Sequence, residues 1–222
     1  MMPKVSLVIP AYNAETTIAH RIAELREELK NAEIIVVCNG CTDDTANLAR
    51  NLKGVKVLEF PEKLGKGGAV AEGLKSASHE YAGFIDADMS FAAQDLKKMI
   101  AKLSVCDCVI ASKWKETGFN NVKEGAKRKL YGRIWNFMVN LLFGLGVSDS
   151  QAGMKIFKKS FLPVNFVTKG FEFDVELLYK IRKNGGKILE YGVAVRKGAK
   201  TTMRRSDMAT MFFNLIKLKA LC

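Results

Sequence analysis

The stretch FIDADMSF, residues 84–91, marks the end of a buried segment. The apolar run that leads into it, residues 81–85, predicts a β-strand covered on both faces, because apolar and polar residues do not alternate along it. Further runs of this kind lie at residues 5–9, 33–37, 55–60 and 107–111, and helical patterns lie between them at about 15–30, 43–52, 67–78 and 93–103. This repetition predicts an α/β fold with right-handed crossovers, in which a mainly parallel central sheet carries helices on both faces.

Polar or glycine-rich segments follow each of the first four predicted strands. They read PAYNAE, NGCTDDT, PEKLGKGG and DADMS in chain order. The carboxyl ends of parallel strands meet at one edge of a sheet, and ligands bind beyond that edge where the strand order switches. The sequence therefore predicts one composite site at this edge.

Asp86 and Asp88 admit two interpretations. If the strand continues past Ile85, both carboxylates share one face, and a pair of hard oxygen ligands suits Mg²⁺ or Mn²⁺. Alternatively, Asp88 or Ser90 caps the helix that begins near Ala92. The local sequence does not decide between a metal site and a helix cap.

The segment LGKGGAVAEG, residues 64–73, combines Lys66 with several glycines, among them Gly67, at the start of a helix. Backbone amides at a helix N-terminus and a lysine charge favour an anion. The spacing matches neither GxxxxGK[ST] nor a GxGxxG that follows the first strand, which disfavours a P-loop ATPase and a dinucleotide enzyme. A flexible turn with solvated lysines is the alternative.

The bulk composition is that of a globular protein with a sizeable core: 222 residues, 48% hydrophobic and 26% charged. The pattern changes after residue 112, with a later helix at 171–185 and a strand at 187–195, but no repeat or linker separates the parts, so we predict one domain over residues 1–222. A formal net charge of +12 favours anionic partners. Basic residues are not interleaved with stacking aromatics, so nucleic acid is not expected.

The five cysteines show no regular spacing, which favours reduced thiols in a cytoplasmic protein. Cys38 and Cys41 have the alternative of forming half of a zinc site or a redox pair. With only two histidines and no matching second half, that alternative is the weaker one.

Two segments of the second half have two interpretations each. RKGAKTTMRR, residues 196–205, contains five basic residues and is either a solvated loop or a loop that closes on phosphate. MATMFFNLIKLKALC, residues 208–222, predicts an amphipathic helix that either packs on the core or binds a membrane interface. An apolar helix at about 126–144 could share the membrane role, but polar residues interrupt it, so no membrane-spanning segment is expected.

Six motifs, taken in order, resemble the inverting family-2 glycosyltransferases of the GT-A fold. They are VSLVIPAYNAETTI, VVCNGCTDDT, KGGAVAEG, FIDADMS, SDSQAGMKIF and FEFDVELL, within about residues 4–200. The last three and KGGAV are most similar to the polyprenyl-phosphate branch, which includes dolichyl-phosphate glucosyltransferase and dolichol-phosphate mannose synthase. PAYN or DxD alone is weak evidence, whereas six motifs in this order are specific.

This resemblance implies a GT-A-type fold, a nucleotide-diphospho-sugar donor such as a UDP- or GDP-hexose, a divalent Mg²⁺ or Mn²⁺ ion, and a polyprenyl phosphate acceptor at an anionic membrane surface. It divides the chain into a nucleotide-sugar-binding half, residues 1–112, an acceptor-side half, residues 113–205, and a C-terminal amphipathic helix, residues 206–222. It also implies a cytoplasmic protein that is peripheral on the cytosolic membrane face.

The resemblance further implies roles for individual residues by position. The candidates on the donor side are Pro10, Ala11, Tyr12, Glu15, Asn39, Lys66, Gly67, Asp86, Ala87 and Asp88. Among these, Asp88 is the expected metal ligand, and Asp86 lies nearer the ribose and the diphosphate. The candidates on the acceptor side are Lys113, Arg128, Gln151, Gly153 and Lys200. The candidate catalytic residues are Asp86, Asp88, Glu172 and Asp174, the last two for positioning.

Two positions depart from the family pattern. CNG, residues 38–40, replaces the common DDG, so Asn39 stands where an aspartate usually reads the base; its amide still offers a donor and an acceptor. Lys113 replaces an arginine and keeps the charge without the bidentate fork. We therefore expect a different base preference or a weaker donor affinity than in relatives.

The implied reaction is an in-line attack of the acceptor phosphate on the anomeric carbon, with the nucleoside diphosphate as leaving group. Three other functions stay open. A sugar-nucleotidyltransferase would need a Gly- and Arg-rich loop in place of PAYNAE. A non-catalytic sugar-nucleotide- or lipid-binding module is suggested by CNG, and a glycosyltransferase with a non-lipid acceptor is the third.

Overall fold

The structure, a computed structural model, describes residues 2–115, 126–162, 165–196 and 205–221, with the backbone alone for residues 126–128 and 205–210. Of the predicted site residues, Lys200 and the side chain of Arg128 lie outside the described residues. The predicted basic loop lies outside them as well, apart from Arg196 and the backbone of Arg205.

Seven strands form one sheet in the described part of the chain. They are β1 (Val5–Ala11), β2 (Glu33–Asn39), β3 (Val55–Phe60), β4 (Tyr81–Ile85), β5 (Cys108–Ser112), β6 (Met154–Lys158) and β7 (Ile188–Gly192). Their order across the sheet is β3-β2-β1-β4-β6-β5-β7. Neighbouring strands are parallel except at β6, which runs antiparallel to β4 and β5. The predicted α/β fold with a mainly parallel sheet is confirmed.

Seven α-helices accompany these strands within the described residues. They are α1 (Ile18–Glu28), α2 (Thr45–Arg50), α3 (Gly65–Lys75), α4 (Ala93–Ala101), α5 (Ala126–Phe143), α6 (Phe173–Lys183) and α7 (Arg205–Leu221). The first three connect β1 to β2, β2 to β3 and β3 to β4, as crossover helices between parallel strands.

Strand β6 is the element that the sequence did not predict. Lys155 interrupts its apolar run and Lys158 ends it, so the segment lacks the continuous apolar pattern of the other strands. In the sheet Lys155 pairs with Phe84 of β4 and is fully buried. Because β6 inserts between β4 and β5, the turn that precedes it comes to lie beside Asp86.

Two apolar clusters cover the two faces of the sheet. One includes side chains of α1, α2 and α4, and the other includes side chains of α3, α5, α6 and α7. Leu215 and Leu218 of α7 are buried in the second cluster, so the C-terminal helix packs on the core along one side. None of the helices described is both long and apolar enough to cross a membrane.

Candidate active site

The loops that follow β1 and β2 are joined by hydrogen bonds between backbone and side chains. The Thr42 amide donates to Asn13 Oδ1 at 2.8 Å, and the Glu15 amide donates to Asp43 Oδ2 at 3.0 Å. The Glu15 carboxylate accepts the Asp44 amide at 3.2 Å. Glu15, a predicted nucleoside contact, therefore also fixes the geometry of this part of the site.

The residues of the predicted nucleoside pocket differ in their exposure to solvent. Tyr12 is exposed, and Lys63 Nζ lies 4.3 Å from its ring centroid. Asn39 is buried, and its Oδ1 accepts the Leu64 amide. This bond joins the end of β2 to the start of α3. It uses only the amide oxygen of Asn39, so the NH₂ group of that side chain is left for a further acceptor. Pro10 and Ala11 are part of β1, with Ala11 buried.

Asp86 lies in a tight pocket at the end of β4. Lys66 Nζ is 3.0 Å from its Oδ1 and 3.1 Å from its Oδ2. The Asp86 amide donates to the Gly153 carbonyl at 2.8 Å. A Cβ on Gly153 would lie 1.9 Å from Asp86 Oδ2, so only glycine leaves room for this carboxylate. The structure thus brings together three of the predicted site residues.

Four charged residues of alternating sign form a row beneath this edge of the sheet: Asp86, Lys66, Asp174 and Lys155, here called the charge row. Lys66 Nζ is 3.8 Å from Asp174 Oδ2, and Lys155 Nζ is 2.5 Å from Asp174 Oδ1. Lys155 also donates to the Ala152 carbonyl at 2.6 Å. Lys155 and Asp174 are almost completely buried, so the row resembles a buried ion-pair network.

Electrostatics at Lys66 reflect two opposing causes. Burial alone would lower the pKa of Lys66, but the Asp86 and Asp174 carboxylates outweigh it, so the pKa lies above its ordinary value. Burial raises the pKa of Asp86, and the Lys66 ammonium opposes that rise. Lys66 therefore stays charged near neutral pH, and the alternative of a flexible turn with a solvated lysine is wrong.

Asp88 has different surroundings from Asp86. β4 ends before both residues, and Met89 has a positive φ of 63°, which turns the chain away from the sheet. Asp88 Oδ1 accepts the Ser90 amide at 2.9 Å. The first amide of α4, that of Ala93, donates to the Glu24 carboxylate of α1 at 3.1 Å. The N-cap residue of α4 is Ala92, and the first amide of the helix is satisfied by Glu24 from another helix, so the interpretation that Asp88 or Ser90 caps α4 is wrong.

The arrangement fits a divalent cation bound jointly by protein and ligand. No group of three or more His, Cys, Asp or Glu side chains among the described residues is placed to hold a metal by itself. Mg²⁺ usually takes one or two carboxylates and completes its shell with substrate phosphates and water. Asp88, partly exposed and beside the paired Asp86, offers such a carboxylate. Ala87 between them is nearly buried.

The glycines of the LGKGG segment serve close packing. A Cβ on Gly65 would lie 2.3 Å from the Lys169 carbonyl oxygen, and one on Gly67 would lie 2.4 Å from Phe173 Cβ. The Gly68 amide donates to the Lys169 carbonyl at 3.2 Å. The start of α3 is therefore covered by residues 169–173, and the predicted anion contact of Gly67 stays a prediction.

Lys113, the acceptor-side candidate that directly follows β5, contacts the turn at Asp149. The Lys113 amide donates to Asp149 Oδ2 at 3.1 Å, and the Asp149 amide donates to Glu190 at 3.0 Å. Burial raises the pKa of Asp149 to about 6, although the Lys113 charge opposes this. Lys113 Nζ and the Arg133 guanidinium carbon lie 5.1 and 5.3 Å from the Trp114 ring centroid. A Lys–Trp–Arg cluster therefore borders this turn.

Two further candidates, Gln151 and Glu172, are largely shielded from solvent in the second half of the chain. Gln151 Nε2 is buried, and no hydrogen-bond partner for it lies within the described residues. Glu172 is 5% exposed, and its Oε1 accepts the Asn214 amide group of α7 at 3.1 Å. Asp174 belongs to the charge row, so it is paired on both sides.

Exposed apolar side chains lie on both α5 and α7. On α5 they number four, at helical spacing, and on α7 they number three: Leu130, Ile134, Phe137, Leu141, Phe213, Ile216 and Leu221. The two helices meet through the rings of Trp135 and Phe212, whose centroids are 5.5 Å apart. We call these seven residues the apolar face. The predicted membrane role of both helices thus has an exposed surface, and α7 combines it with core packing.

Cys38 and Cys41 do not form a metal or redox centre by their surroundings. Both are free thiols, and burial raises the pKa of Cys38 to about 12. A buried thiol with so high a pKa is a poor nucleophile and a poor metal ligand. Reduced structural thiols are the better interpretation.

Several residues of this site were missed from the sequence. Lys155, Arg133, Trp114, Glu24 and Asn214 all act through contacts with distant parts of the chain. Only Lys155 carried a local signal, a lysine inside the apolar run of MKIF.

Residues 6–165 match the family described as Glycosyl transferase family 2, which is most of the chain. The chain belongs to glycosyltransferase family 2. The resemblance inferred from six ordered motifs is confirmed at the level of the family, and the DxD-type pair Asp86 and Asp88 falls inside the matched region.

Two curated relatives of this family-2 glycosyltransferase are dolichyl-phosphate beta-glucosyltransferases. The protein of Trichomonas vaginalis is 26% identical over 96% of this chain and 72% of its own length. The protein of Drosophila melanogaster is 30% identical over 79% of this chain and 62% of its own length. A third relative, glycosyltransferase AglD of Haloferax volcanii, is 24% identical over 86% of this chain, which corresponds to 32% of that protein. The relatives are thus longer than the region matched.

Among solved structures, glucosyl-3-phosphoglycerate synthase of Mycobacterium tuberculosis resembles this family-2 glycosyltransferase. Its complex with UDP has a TM-score of 0.76 at 21% identity and covers 98% of this chain and 79% of its own. Its complex with Mn²⁺ and UDP-glucose has a TM-score of 0.76 at 21% identity, over 97% and 77% of the two chains. At this identity the likeness shows the fold, and the GT-A fold expected from the sequence is confirmed.

Proposed function

We propose that this family-2 glycosyltransferase moves a hexose from a nucleotide-diphospho-sugar to a polyprenyl phosphate at a membrane surface, as a peripheral protein on the cytosolic face. The observation that carries the lipid acceptor is the apolar face, because it begins on α5 beside the Lys113–Trp114–Arg133 cluster. A lipid phosphate needs just such a surface, apolar for its chain and basic for its head group. The names of two relatives, dolichyl-phosphate beta-glucosyltransferases, support the same acceptor class.

On the donor side, the loops after β1 and β2 are proposed to hold the nucleoside. Tyr12 offers an exposed ring for a base, and Asn39 offers its NH₂ group to a base edge. Lys66 is held in place by Asp86 and Asp174, so its ammonium is fixed near the expected diphosphate. UDP-glucose is the first donor to test, because neighbouring structures hold UDP or UDP-glucose and two relatives are glucosyltransferases by name.

A divalent cation fits the donor set of this site, with Asp88 as the proposed protein ligand. Mn²⁺ and Mg²⁺ occur with UDP in neighbouring structures of the same fold. When bound, the ion supplies positive charge beside the leaving diphosphate. The Asp88 carboxylate is oriented for this by the Ser90 amide, and Asp86 is already neutralised by Lys66.

The proposed reaction is a single displacement. An oxygen of the acceptor phosphate attacks the anomeric carbon from the face opposite the diphosphate, and the bond from that carbon to the diphosphate oxygen breaks with its electron pair. The configuration at the anomeric carbon inverts. A phosphate acceptor is already anionic near neutral pH, so no strong general base is needed. Asp174 is bound by two lysines and therefore positions Lys66.

On the acceptor side, Lys113 and Arg133 are proposed to receive the phosphate head group. Lys113 lacks the bidentate fork of the arginine that the family pattern has at this position. Arg133 of α5 adds a guanidinium beside the same Trp114 ring that Lys113 contacts. Arg128 and Lys200, outside the described side chains, stay predicted phosphate contacts, and Gln151 and Gly153 stay predicted substrate contacts of the acceptor-side turn.

The test of this function is transfer of labelled sugar into a lipid extract. The protein is incubated with UDP-glucose or GDP-mannose, Mn²⁺, and either a polyprenyl phosphate or 3-phosphoglycerate as acceptor. Label in the lipid phase with one donor supports the proposal. Label only on 3-phosphoglycerate would favour a non-lipid acceptor, and nucleotide-sugar binding without any transfer would favour a non-catalytic module.

The membrane part has its own test. Co-sedimentation with phosphatidylcholine vesicles that contain phosphatidylserine should be lost in the double variant Phe137→Ser/Leu141→Ser. Both side chains are more than two-thirds exposed, at 67% and 72%, so the substitutions spare the core. Val105→Ser, at an exposed apolar position on a different part of the surface, is the matched control. Binding unchanged by the double variant would contradict the proposed membrane face.

A further inference from the structure

Helix α7 has a polar contact that neither core packing nor membrane binding explains. Met211, Leu215 and Leu218 point into the core, and Phe213 and Ile216 are exposed. Asn214 follows neither pattern: it is the one uncharged polar side chain described on α7, and its Nδ2 donates to Glu172 Oε1 at 3.1 Å.

The acceptor of this bond lies in a segment that is tightly fixed to the candidate site. Glu172 directly precedes α6, two residues before Asp174 of the charge row. A Cβ on Gly170 would lie 2.6 Å from Glu172 Oε2, so the carboxylate is packed against the backbone on one side. Lys169 accepts the Gly68 amide at 3.2 Å and thereby joins this segment to α3.

The carboxylate of Glu176 also fixes the start of this segment, at residues 167 and 168. Its carboxylate accepts the amides of Val167 and Thr168, both at 2.8 Å. Residues 167–174 thus touch α3, α6 and the charge row through bonds that do not depend on α7. Loss of the Asn214 bond should therefore free the Glu172 side chain and loosen the backbone of residues 171–174, while residues 167–169 stay in place.

A nearly buried carboxylate depends strongly on its few hydrogen-bond donors. Glu172 is 5% exposed, and within the described residues Asn214 is the side chain that donates to it. An amide donor fixes the direction of a carboxylate without neutralising its charge. Such a contact suits a group that must point at a ligand and stay negative.

We propose that Asn214 is a positioning residue that holds the Glu172 carboxylate toward the reacting groups, so that the seating of α7 sets the turnover of the site. This inference rests on the proposed function. Glu172 keeps the positioning role assigned to it above, and Asn214 acts only through it. The C-terminal helix is then part of the catalytic apparatus in addition to its core and surface roles.

The test compares two substitutions of Asn214 with the same two at a control position. Asn214→Ala removes the donor, and Asn214→Asp keeps the shape but sets a second carboxylate against Glu172. Asn184→Ala and Asn184→Asp are the controls, because Asn184 also donates through its amide, to the Phe161 carbonyl at 3.2 Å, at the far end of α6.

We expect Asn214→Ala to lower kcat about tenfold, since a hydrogen bond to a charged group is lost, with the donor KM within about twofold of wild type. Asn214→Asp should lower kcat about a hundredfold through repulsion of the two carboxylates. A purely structural role predicts that both variants lower the free energy of unfolding while kcat per folded molecule stays at the wild-type value. Equal turnover of Asn214→Asp and wild type, or an equal loss in the Asn184 pair, would overturn the proposal.

Hydrogen exchange separates this proposal from the proposed function. If the wild-type protein transfers no sugar to any acceptor, the proposed function fails, whereas the contact can still be measured. Amides of residues 171–174 should exchange faster in Asn214→Ala than in Asn184→Ala, both without ligand and with UDP. Equal exchange in the two variants would overturn the positioning role independently of any transfer assay.

Discussion

The charge row and the turn at Asp88 lie at the end of the same strand, yet the aspartate carboxylate has a different kind of partner in each. Asp86 has Lys66 within 3.1 Å of both oxygens and a glycine beneath it. Asp88, two residues further from the strand, accepts a backbone amide at one oxygen. A protein cation satisfies the first carboxylate, and the second is the one that we propose to bind a divalent cation together with the ligand.

This difference teaches that spacing alone does not assign roles within a DxD pair. The two identical side chains on one short turn differ in their partners, because Lys66 contacts Asp86 whereas Asp88 accepts the Ser90 amide. Folding alone gives Asp86 its counter-charge, whereas we propose that Asp88 gains one when the donor and its cation bind. Substitutions in the charge row should therefore mainly lower the free energy of unfolding, and substitutions at Asp88 should mainly lower the rate of sugar transfer.

The largest expected effect on stability comes from Asp174→Asn. It leaves the fully buried Lys155 and the largely buried Lys66 without this counter-charge, and breaking a buried pair costs about 3–5 kcal/mol. Urea unfolding measures the loss. The control Lys97→Met breaks an exposed pair with Glu28 and should cost less than about 1 kcal/mol. A loss for Asp174→Asn as small as the control would show that the row is not a buried network.

The next effect is expected at Gly153, on the boundary between row and turn. Gly153→Ala places a Cβ on the Asp86 carboxylate and should cost about 1–3 kcal/mol of unfolding free energy. Gly132→Ala is the control, since its Cβ would meet only ordinary contact at 3.6 Å in a helix. If both variants were equally stable, Asp86 would have more freedom than its contacts indicate.

The row was the part of the site that the sequence predicted least well. Apolar runs revealed β1 to β5 and β7, because a run of apolar residues is a local property of the chain. Lys155 concealed β6, since a buried lysine has a partner that the local pattern does not show. Its counter-charge Asp174 was singled out from a family motif, but the pair itself joins residues 19 positions apart.

The turn was predicted better, because its features are local. The strand end, the aspartate spacing and the helix that follows were all read from residues 81–103. The acceptor of the first amide of α4 was not predicted, because Glu24 reaches that amide from a distant helix. Asn214 escaped notice for the same reason, as its partner lies 42 positions away.

The smallest effect concerns Asp149, a buried carboxyl without a full counter-charge. Its pKa in the folded protein is raised to about 6, so the folded state binds the proton more tightly than the unfolded chain. The contribution of this group to stability therefore falls as pH rises through about 4 to 6 and is lowest above that range. Between about pH 5 and pH 7 the difference should be about 1 kcal/mol.

Asp149→Asn isolates this contribution. The difference in unfolding free energy between wild type and variant should favour wild type progressively as pH falls from about 7 to about 5. Taking the difference between wild type and variant cancels the pH dependence that comes from carboxylates with a lowered pKa, such as Glu33 and Glu176. Their contribution to stability changes with pH in the opposite direction. A pH-independent difference would contradict the raised pKa of Asp149.

The most direct test of the account is the rate of sugar transfer to polyprenyl phosphate by wild type and Asp88→Asn, each with Mn²⁺ and with a chelator. We expect chelation to abolish wild-type transfer and Asp88→Asn to lower it about a thousandfold, while its unfolding free energy stays within about 0.5 kcal/mol of wild type. Asp95→Asn, on the neighbouring helix, is the control and should transfer normally. Full transfer by Asp88→Asn, or transfer that survives chelation, would contradict the account.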